Sequence, residues 1–383
     1  MSIPVDYDIL RLVWWLFLGV LLIGFAIMDG FDLGTAMLLP FAARSDVERR
    51  VAINAVGPVW DGNQVWLILG GGAIFAAWPA IYAASFSGFY IAMFLVLATL
   101  ILRPVGFEFR NKMPSPAWRT FWDYALFVGG LVPALVFGVA FGNILQGVPF
   151  RIDADMRVLY EGSGLFELLN PFGLLAGLVS VAMLSTHGAV YLTLKTEGPV
   201  QERARAYVGL GAMATVLLFA LAGLWLTVGI KGYALTSAVV TDGPSNPLLK
   251  TVELRPGAWL ANYAAHPWTL AAPALGFAGP ILTAILVATR RPGLAFVTSG
   301  VGILGIVATA GVSMFPFLMP SSIAPTASLT VWDASSSQLT LFVMLIATLI
   351  FLPIVLLYTG FVFRVLRGPV TAKAIEANPT THY

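Results

Sequence analysis

Apolar residues along this chain neither alternate nor keep to a narrow helical stripe; they run in long blocks separated by short polar connections. A helix needs about 20 mainly apolar residues to cross about 30 Å of hydrocarbon. Blocks at roughly 13–41, 53–78, 80–103, 121–145, 167–194, 206–230, 267–289, 293–319 and 338–364 reach that length. The pattern predicts an all-α polytopic membrane protein with nine transmembrane helices in a single integral membrane domain. The block that follows Met1 to Leu12 is too long for a signal-peptide core and reads as the first membrane helix, retained in the mature protein.

Charge sharpens this picture by its location. Of 383 residues 58% are hydrophobic and 10% charged, against roughly a quarter charged in a soluble domain. Cytoplasmic connections are enriched in Lys and Arg. The first, third, fifth and seventh loops and the tail hold 15 of the 21 bases, and the N-terminus with the even-numbered loops holds 6. This places the N-terminus outside and the tail, with Arg364, Arg367 and Lys373, in the cytoplasm. The lone long connection, from about Lys231 to His266, carries Gly-Pro-Ser-Asn-Pro at 243–247 and reads as irregular backbone with no soluble domain inside it. No basic block points to nucleic acid. The absence of cysteine excludes disulfides, thiolate haem ligation and cysteine-held iron–sulfur clusters. Gly30xxxGly34, Gly173xxxGly177 and Gly70–Gly72 offer surfaces where helix backbones could approach closely.

The residues out of place in such blocks are acids. A carboxylate at membrane depth is costly, so it faces a protein interior or a watered path and finds a partner. Asp29, Asp32 and Asp61 are of this kind. The i, i+3 spacing of Asp29 and Asp32 puts both on one face of the first helix. Asp61 is expected about 10–12 Å in from the cytoplasmic start of the second helix, with Pro58 loosening the turn before it and Trp60, Asn63 and Gln64 around it. Arg103 ends the third helix on that side, and Asp123 opens the fourth. Asp32, Asp61, Arg103 and Asp123 are therefore expected to gather in the cytoplasmic half. The cluster has two compatible readings: an ion-pair network that fixes helix packing, or a proton path in which at least Asp61 takes part.

Histidine is scarce, with His187 inside the fifth helix, His266 at an outside helix end and His382 in the tail. That set is too small for a multi-haem or metal centre, and His187 reads as a hydrogen-bonded interior residue. Trp14 and Trp15 read as part of an interfacial belt. Glu167, Asn170 and Pro171 read as a helix start, and Met314 to Pro320 as a helix exit.

Longer motifs carry a family resemblance. Met28-Asp29-Gly30-Phe31-Asp32-Leu33-Gly34, the run from Pro58 to Trp66, Phe75-Ala76-Ala77-Trp78-Pro79 and the run from Leu102 to Glu108 resemble subunit II of the cytochrome bd-type quinol oxidases. The likeness continues at Gly142 to Gly147, Asn170 to Leu175 and Met314 to Phe317, and so covers nearly the whole chain. It implies a subunit with two four-helix bundles, here about 1–145 and about 165–319, plus a peripheral ninth helix at about 338–364. It implies a haem-bearing partner, subunit I, which holds the b and d haems and oxidises quinol. A small single-span subunit often accompanies the pair. This chain would itself ligate no haem and no metal, although a quinone can occupy subunit II, and its place would be the bacterial inner membrane.

The resemblance further implies that Asp61 lines a channel for cytoplasmic protons, with Trp60 and Arg103 close by, and that Asp32 and Asp123 support assembly of the haem-bearing partner. The site set expected from sequence is thus Asp61, Asp32 and Trp60 for the proton path, and Asp29, Arg103 and Asp123 for the ion-pair network. The complex would oxidise quinol near the outer face and reduce dioxygen to water with protons drawn from the cytoplasm. Two other readings stay open: a secondary transporter using Asp29, Asp32 and Asp61 as a coupling-ion site, and a purely structural subunit.

Overall fold

The computed structural model describes residues 3–162 and 164–377; His382 lies outside them. The chain opens with α1 (Tyr7–Ala42), whose second half is buried on every side from Asp29 to Leu39. A short amphipathic helix, α2 (Asp46–Val56), follows and buries Val51 to Val56. Its start is fixed by a reciprocal capping box between Ser45 and Glu48. Pro58 has no N–H to continue the ladder, so the block drawn at 53–78 divides, and α3 (Trp60–Ala77) begins afresh. Pro79, set at a first helical position, starts α4 (Pro79–Gly88), and α5 (Tyr90–Phe109) follows.

The remaining helices are α6 (Pro116–Gln146), α7 (Pro171–Lys195), α8 (Pro199–Val228), α9 (Pro267–Ala288), α10 (Pro292–Met314), α11 (Gln338–Val365) and a short α12 (Ala372–Ala377). Asn170 caps α7 through Gly173 N–H, with Pro171 next to it, as the sequence predicts. Helix α10 stops at Met314, at the start of the exit expected over Met314 to Pro320, and Phe317–Met319 continues as a strand.

Among the described residues, eight helices are long and apolar enough to cross a membrane: α1, α5 to α11. The expected count of nine is therefore met in eight. The missing span is α3, whose opening Trp60-Asp61-Gly62-Asn63-Gln64 dilutes its apolar character. It nonetheless packs along α1.

The connections sort onto two ends. At one end Arg203 donates to the Ala42 carbonyl (2.7 Å), Lys195 donates to the carbonyls of Leu366 and Gly368, and Ile375 of α12 is buried against α2. At the other end stand three two-stranded hairpins, β1 (Phe150–Ile152) with β2 (Val158–Tyr160), β3 (Lys231–Leu235) with β4 (Val252–Pro256), and β5 (Phe317–Met319) with β6 (Leu329–Thr330). The connection from Lys231 to His266 thus holds a hairpin and short helical turns where irregular backbone was expected. Val148 N–H reaches the Pro320 carbonyl (2.9 Å), and fully buried Arg11 donates to the carbonyls of Thr241 and Gly243. Loops that the base count assigns to one side share one end; the first set makes a basic end and the second a hairpin end.

Helix α11 is almost wholly exposed and touches the rest of the chain mainly along α1 and α3. Its start explains one correction. Trp14 was expected in an interfacial belt, but it is buried and its indole N–H donates to the Leu341 carbonyl (2.9 Å), tying α1 to α11; only Trp15 stays half-exposed.

Two of the three glycine motifs work as expected. Gly173 and Gly177 lie against α6, and Gly34 crosses α7 at Gly188, whereas Gly70 to Gly72 meet open space. A Cβ at Gly34 would overlap the Leu184 carbonyl and stand 2.8 Å from Gly188 N, both backbone atoms that cannot swing aside. Gly34→Ala should therefore cost at least the ~1–3 kcal/mol of ordinary overpacking, seen as a lower level of intact chain in membranes. Gly223→Ala, where nothing stands within 4 Å, should leave that level unchanged.

Candidate functional site

The site begins with a pair of glycines in α6. A Cβ on Gly129 would press on the Thr99 carbonyl and the Arg103 side chain of α5, and one on Gly130 would press on Leu33 and Ala36 of α1. Bare backbone at these two positions lets α1 and α5 approach α6 together. Arg103 then meets Asp29 across the gap, with both side chains fully buried. Its Nη1 donates to Asp29 Oδ2 at 2.9 Å, and its Nη2 donates to Oδ1. This forked geometry is the strong form of an arginine–carboxylate pair.

Asp32, one turn further along α1, is also buried, but no arginine reaches it. Its Oδ2 accepts from Asn63 Nδ2 of α3 at 2.8 Å, and its Oδ1 has no hydrogen-bond partner. Thr35 Oγ1, a further turn on, and Arg103 Nε also lack partners. Thr35 also lines a small pocket of about 10 Å³ with Ala36, Leu39, Ile53, Val56, Phe107 and Leu126.

A second network lies nearer the basic end. Arg110 follows Arg103 by seven residues and so projects from the same face of that helical run. Its Nε donates to Asp123 Oδ1 (2.6 Å) and its Nη2 to Asp46 Oδ1 (2.9 Å). Arg49 holds Asp123 Oδ2 at 2.7 Å, and Arg119 holds Asp46 Oδ2 at 2.9 Å. Close by, Glu48 bridges Arg203 Nη1 at 2.8 Å and accepts from the backbone N–H groups of Arg44 and Ser45. The Arg203 hydrogen bond, seconded by those N–H groups, lowers the Glu48 carboxyl to about 2.

Asp61 stands elsewhere. It is exposed on α3, on the strip that includes Val65, Ile68 and Leu69, and it has no ion-pair partner among the described residues. Trp60 before it is half-buried, its ring tilted against Phe107 with centroids 5.5 Å apart. His187 is an interior residue, as expected: Nε2 faces the Ile27 carbonyl and so donates to it (3.0 Å), and Nδ1 pairs with the Ser299 hydroxyl (2.9 Å). Among the described residues no group of three or more His, Cys, Asp or Glu could hold a metal ion.

Comparison with known proteins decides the family. The model of cytochrome bd terminal oxidase subunit II matches residues 10–366. The chain belongs to that family. It is 52% identical to cytochrome bd-I ubiquinol oxidase subunit 2 of Escherichia coli strain K12 over 99% of this chain and 100% of that one. It is 35% identical to cytochrome bd ubiquinol oxidase subunit 2 of Bacillus subtilis over 92% of this chain and 95% of that one. The fold is similar to the structure of bd oxidase from Geobacillus thermodenitrificans, with a TM-score of 0.70 at 18% identity, covering 93% of this chain and 98% of that one. A bd oxidase subunit II is part of an oxidoreductase complex, which implies a partner subunit I. The apolar helices and bacterial relatives fit a protein of the bacterial inner membrane.

Within this subunit II the expected single cluster of Asp32, Asp61, Arg103 and Asp123 is not formed. It divides into Arg103 with Asp29, Asp32 with Asn63, Asp123 with Arg110 and Arg49, and Asp61 apart. Helical period is the reason. At 3.6 residues per turn, positions two apart point to nearly opposite faces, so Asn63 turns inward and Asp61 outward. Arg49 and Arg110 were counted only as loop bases in the sequence and Asp46 was not singled out, although the seven-residue step from Arg103 to Arg110 was a readable signal.

Two expectations follow. Arg103→Leu leaves Asp29 buried without a counter-ion, at a cost of about 3–5 kcal/mol, while Arg103→Lys keeps the charge and loses the fork; thermal inactivation of the purified complex should rank wild type, Lys, Leu in falling order. The Glu48 carboxyl lies below its ordinary value of 4.5, so its contribution is present above that pH and disappears as pH falls toward 2. The melting-point deficit of Glu48→Gln should therefore be full at pH 7 and shrink below pH 4.5.

Proposed function

We propose that this chain serves its oxidase as the haem-free subunit that stabilises the haem-bearing partner and contributes the cytoplasmic side of a proton path to the oxygen-reducing site. The basic end then faces the cytoplasm, in line with the positive-inside bias of the bases on that end. The observation that carries the reading is the outward-facing carboxylate of Asp61 in the first turn of α3. A carboxylate turned to lipid at this depth is strongly disfavoured, so the face that bears it is suited to water or to another protein. Docking the haem-bearing subunit against α3 would enclose Asp61 in a watered seam, with Trp60 as its wall. Asp32 joins the path from behind α3 through Asn63, which contacts it directly.

A second role is favoured by a different observation. Asp29–Arg103 and Asp123–Arg110 are buried ion pairs that join α1 to α5 and α5 to α6. These residues act as the packing and assembly network, and a haem partner that leans on these helices would be lost with them. Haems b and d, the oxidation of quinol and a small third subunit belong to the rest of the complex under this reading.

Asp61→Asn in the assembled complex separates the two roles. Oxygen consumption with quinol should fall at least tenfold while the haem spectrum keeps its wild-type intensity, and Asp61→Glu should restore part of the rate. Unchanged turnover would remove Asp61 from the proton path, and parallel loss of haem would move it to the assembly network.

A further inference from the structure

The buried centre of this subunit does not balance its charges. Two carboxyl groups, Asp29 and Asp32, stand one turn apart on α1, both essentially without exposure, and a single guanidinium serves them. Arg103 spends both terminal nitrogens on Asp29. Asp32 is left with one neutral donor, the Asn63 amide, on Oδ2 and none on Oδ1.

Among the described residues the surroundings offer no other cation. Arg49 and Arg110 are held on Asp123, Arg119 on Asp46 and Arg203 on Glu48; Arg50 lies beside Asp46. From α7, the Tyr191 hydroxyl donates to the Ala55 carbonyl, and His187 is engaged with Ile27 and Ser299. The charged groups buried with Asp32 at this centre are Asp29 and the Arg103 paired to it. Asp29 and Arg103 already cancel each other. A lone carboxylate in such a place is neutralised by taking up a proton, because desolvation penalises only its charged form.

We infer that Asp32 is a proton-binding site within subunit II, a neutral carboxylic acid that holds its hydrogen on Oδ1 and accepts from Asn63 on Oδ2, while Asp29 remains the carboxylate paired with Arg103. The two oxygens of Asp32 differ in the way this requires: the partnered one behaves as the carbonyl, and the unpartnered one is free to bear the hydrogen. The pair of acids thus stores one proton for one guanidinium. The assignment stands on charge and hydrogen bonding alone and holds whether or not Asp61 conducts protons.

Infrared spectroscopy of the assembled complex, with aspartate carboxyls isotopically labelled, tests it without using turnover. The wild type should show a protonated-carboxyl C=O band that persists from neutral to mildly alkaline pH. Asp32→Asn should abolish that band. Asp29→Asn should abolish it too, because Arg103 would then pair with Asp32 and ionise it. Asn63→Leu, which leaves both acids in place, should shift the band to higher frequency by removing the donor on its carbonyl oxygen. This variant decides the matter if Asp32→Asn does not assemble. A band missing in the wild type, retained in Asp29→Asn or unmoved in Asn63→Leu would overturn the inference, as would a sodium requirement for stability, which would put a metal cation where the proton is placed.

Discussion

A guanidinium taken out of water must be answered by a carboxylate, and much of this subunit is arranged around the one at Arg103. Its fork on Asp29 works only if α1 and α5 come within side-chain reach of one another. Side chains on α6 would hold them apart, and Gly129 and Gly130 remove that obstacle on both sides. Lipid gives helices no hydrophobic reason to associate, so close backbone packing and polar contacts must supply the attraction. Here the two are one device: bare backbone permits the approach, and the buried ion pair makes any other approach expensive.

The same helical run repeats the arrangement seven residues later. Arg110 answers Asp123 of α6 and reaches Asp46 at the start of α2, with Arg49 and Arg119 closing the network. α5 and the residue that caps its end therefore carry two cations on one face, one directed to the long first helix and one to the fourth membrane-spanning block of the sequence. Arg103 is wholly sealed by protein, while the second network includes the partly exposed Asp46 and Arg119. The first cluster fixes the interior, and the second ties the short α2 to the end of the bundle, where Glu48, Arg203 and the tail helix α12 also meet.

The sequence made the membrane class, most helices and the sorting of loops onto two ends legible, because block length and Lys/Arg placement act through the solvent and need no tertiary detail. It also isolated Asp29, Asp32, Asp61, Arg103 and Asp123, since charge within an apolar block is conspicuous. What it did not disclose was pairing. The expectation placed these residues by depth along their helices and did not carry azimuth through, and azimuth separates Asp61 from Asn63. Gly129–Gly130 was passed over because adjacent glycines do not make a four-residue stripe, although adjacency is what serves neighbours on two sides. Trp14 was placed by its nearness to a helix end, where burial by α11, a contact distant in sequence, takes precedence.

These placements bear on how labour is divided in the complex. Inside the chain the charged acids have fixed cationic partners, a guanidinium for Asp29 and two for Asp123, while Asp32 has a neutral amide. Groups locked in this way suit rigidity, since moving one would strand the other in low dielectric. Asp61 differs, for among the described residues it has no ion-pair partner and it turns outward among apolar residues. A subunit whose interior arginines are held on acids and whose Asp61 faces outward fits the role proposed for it, that of completing a site together with the second subunit.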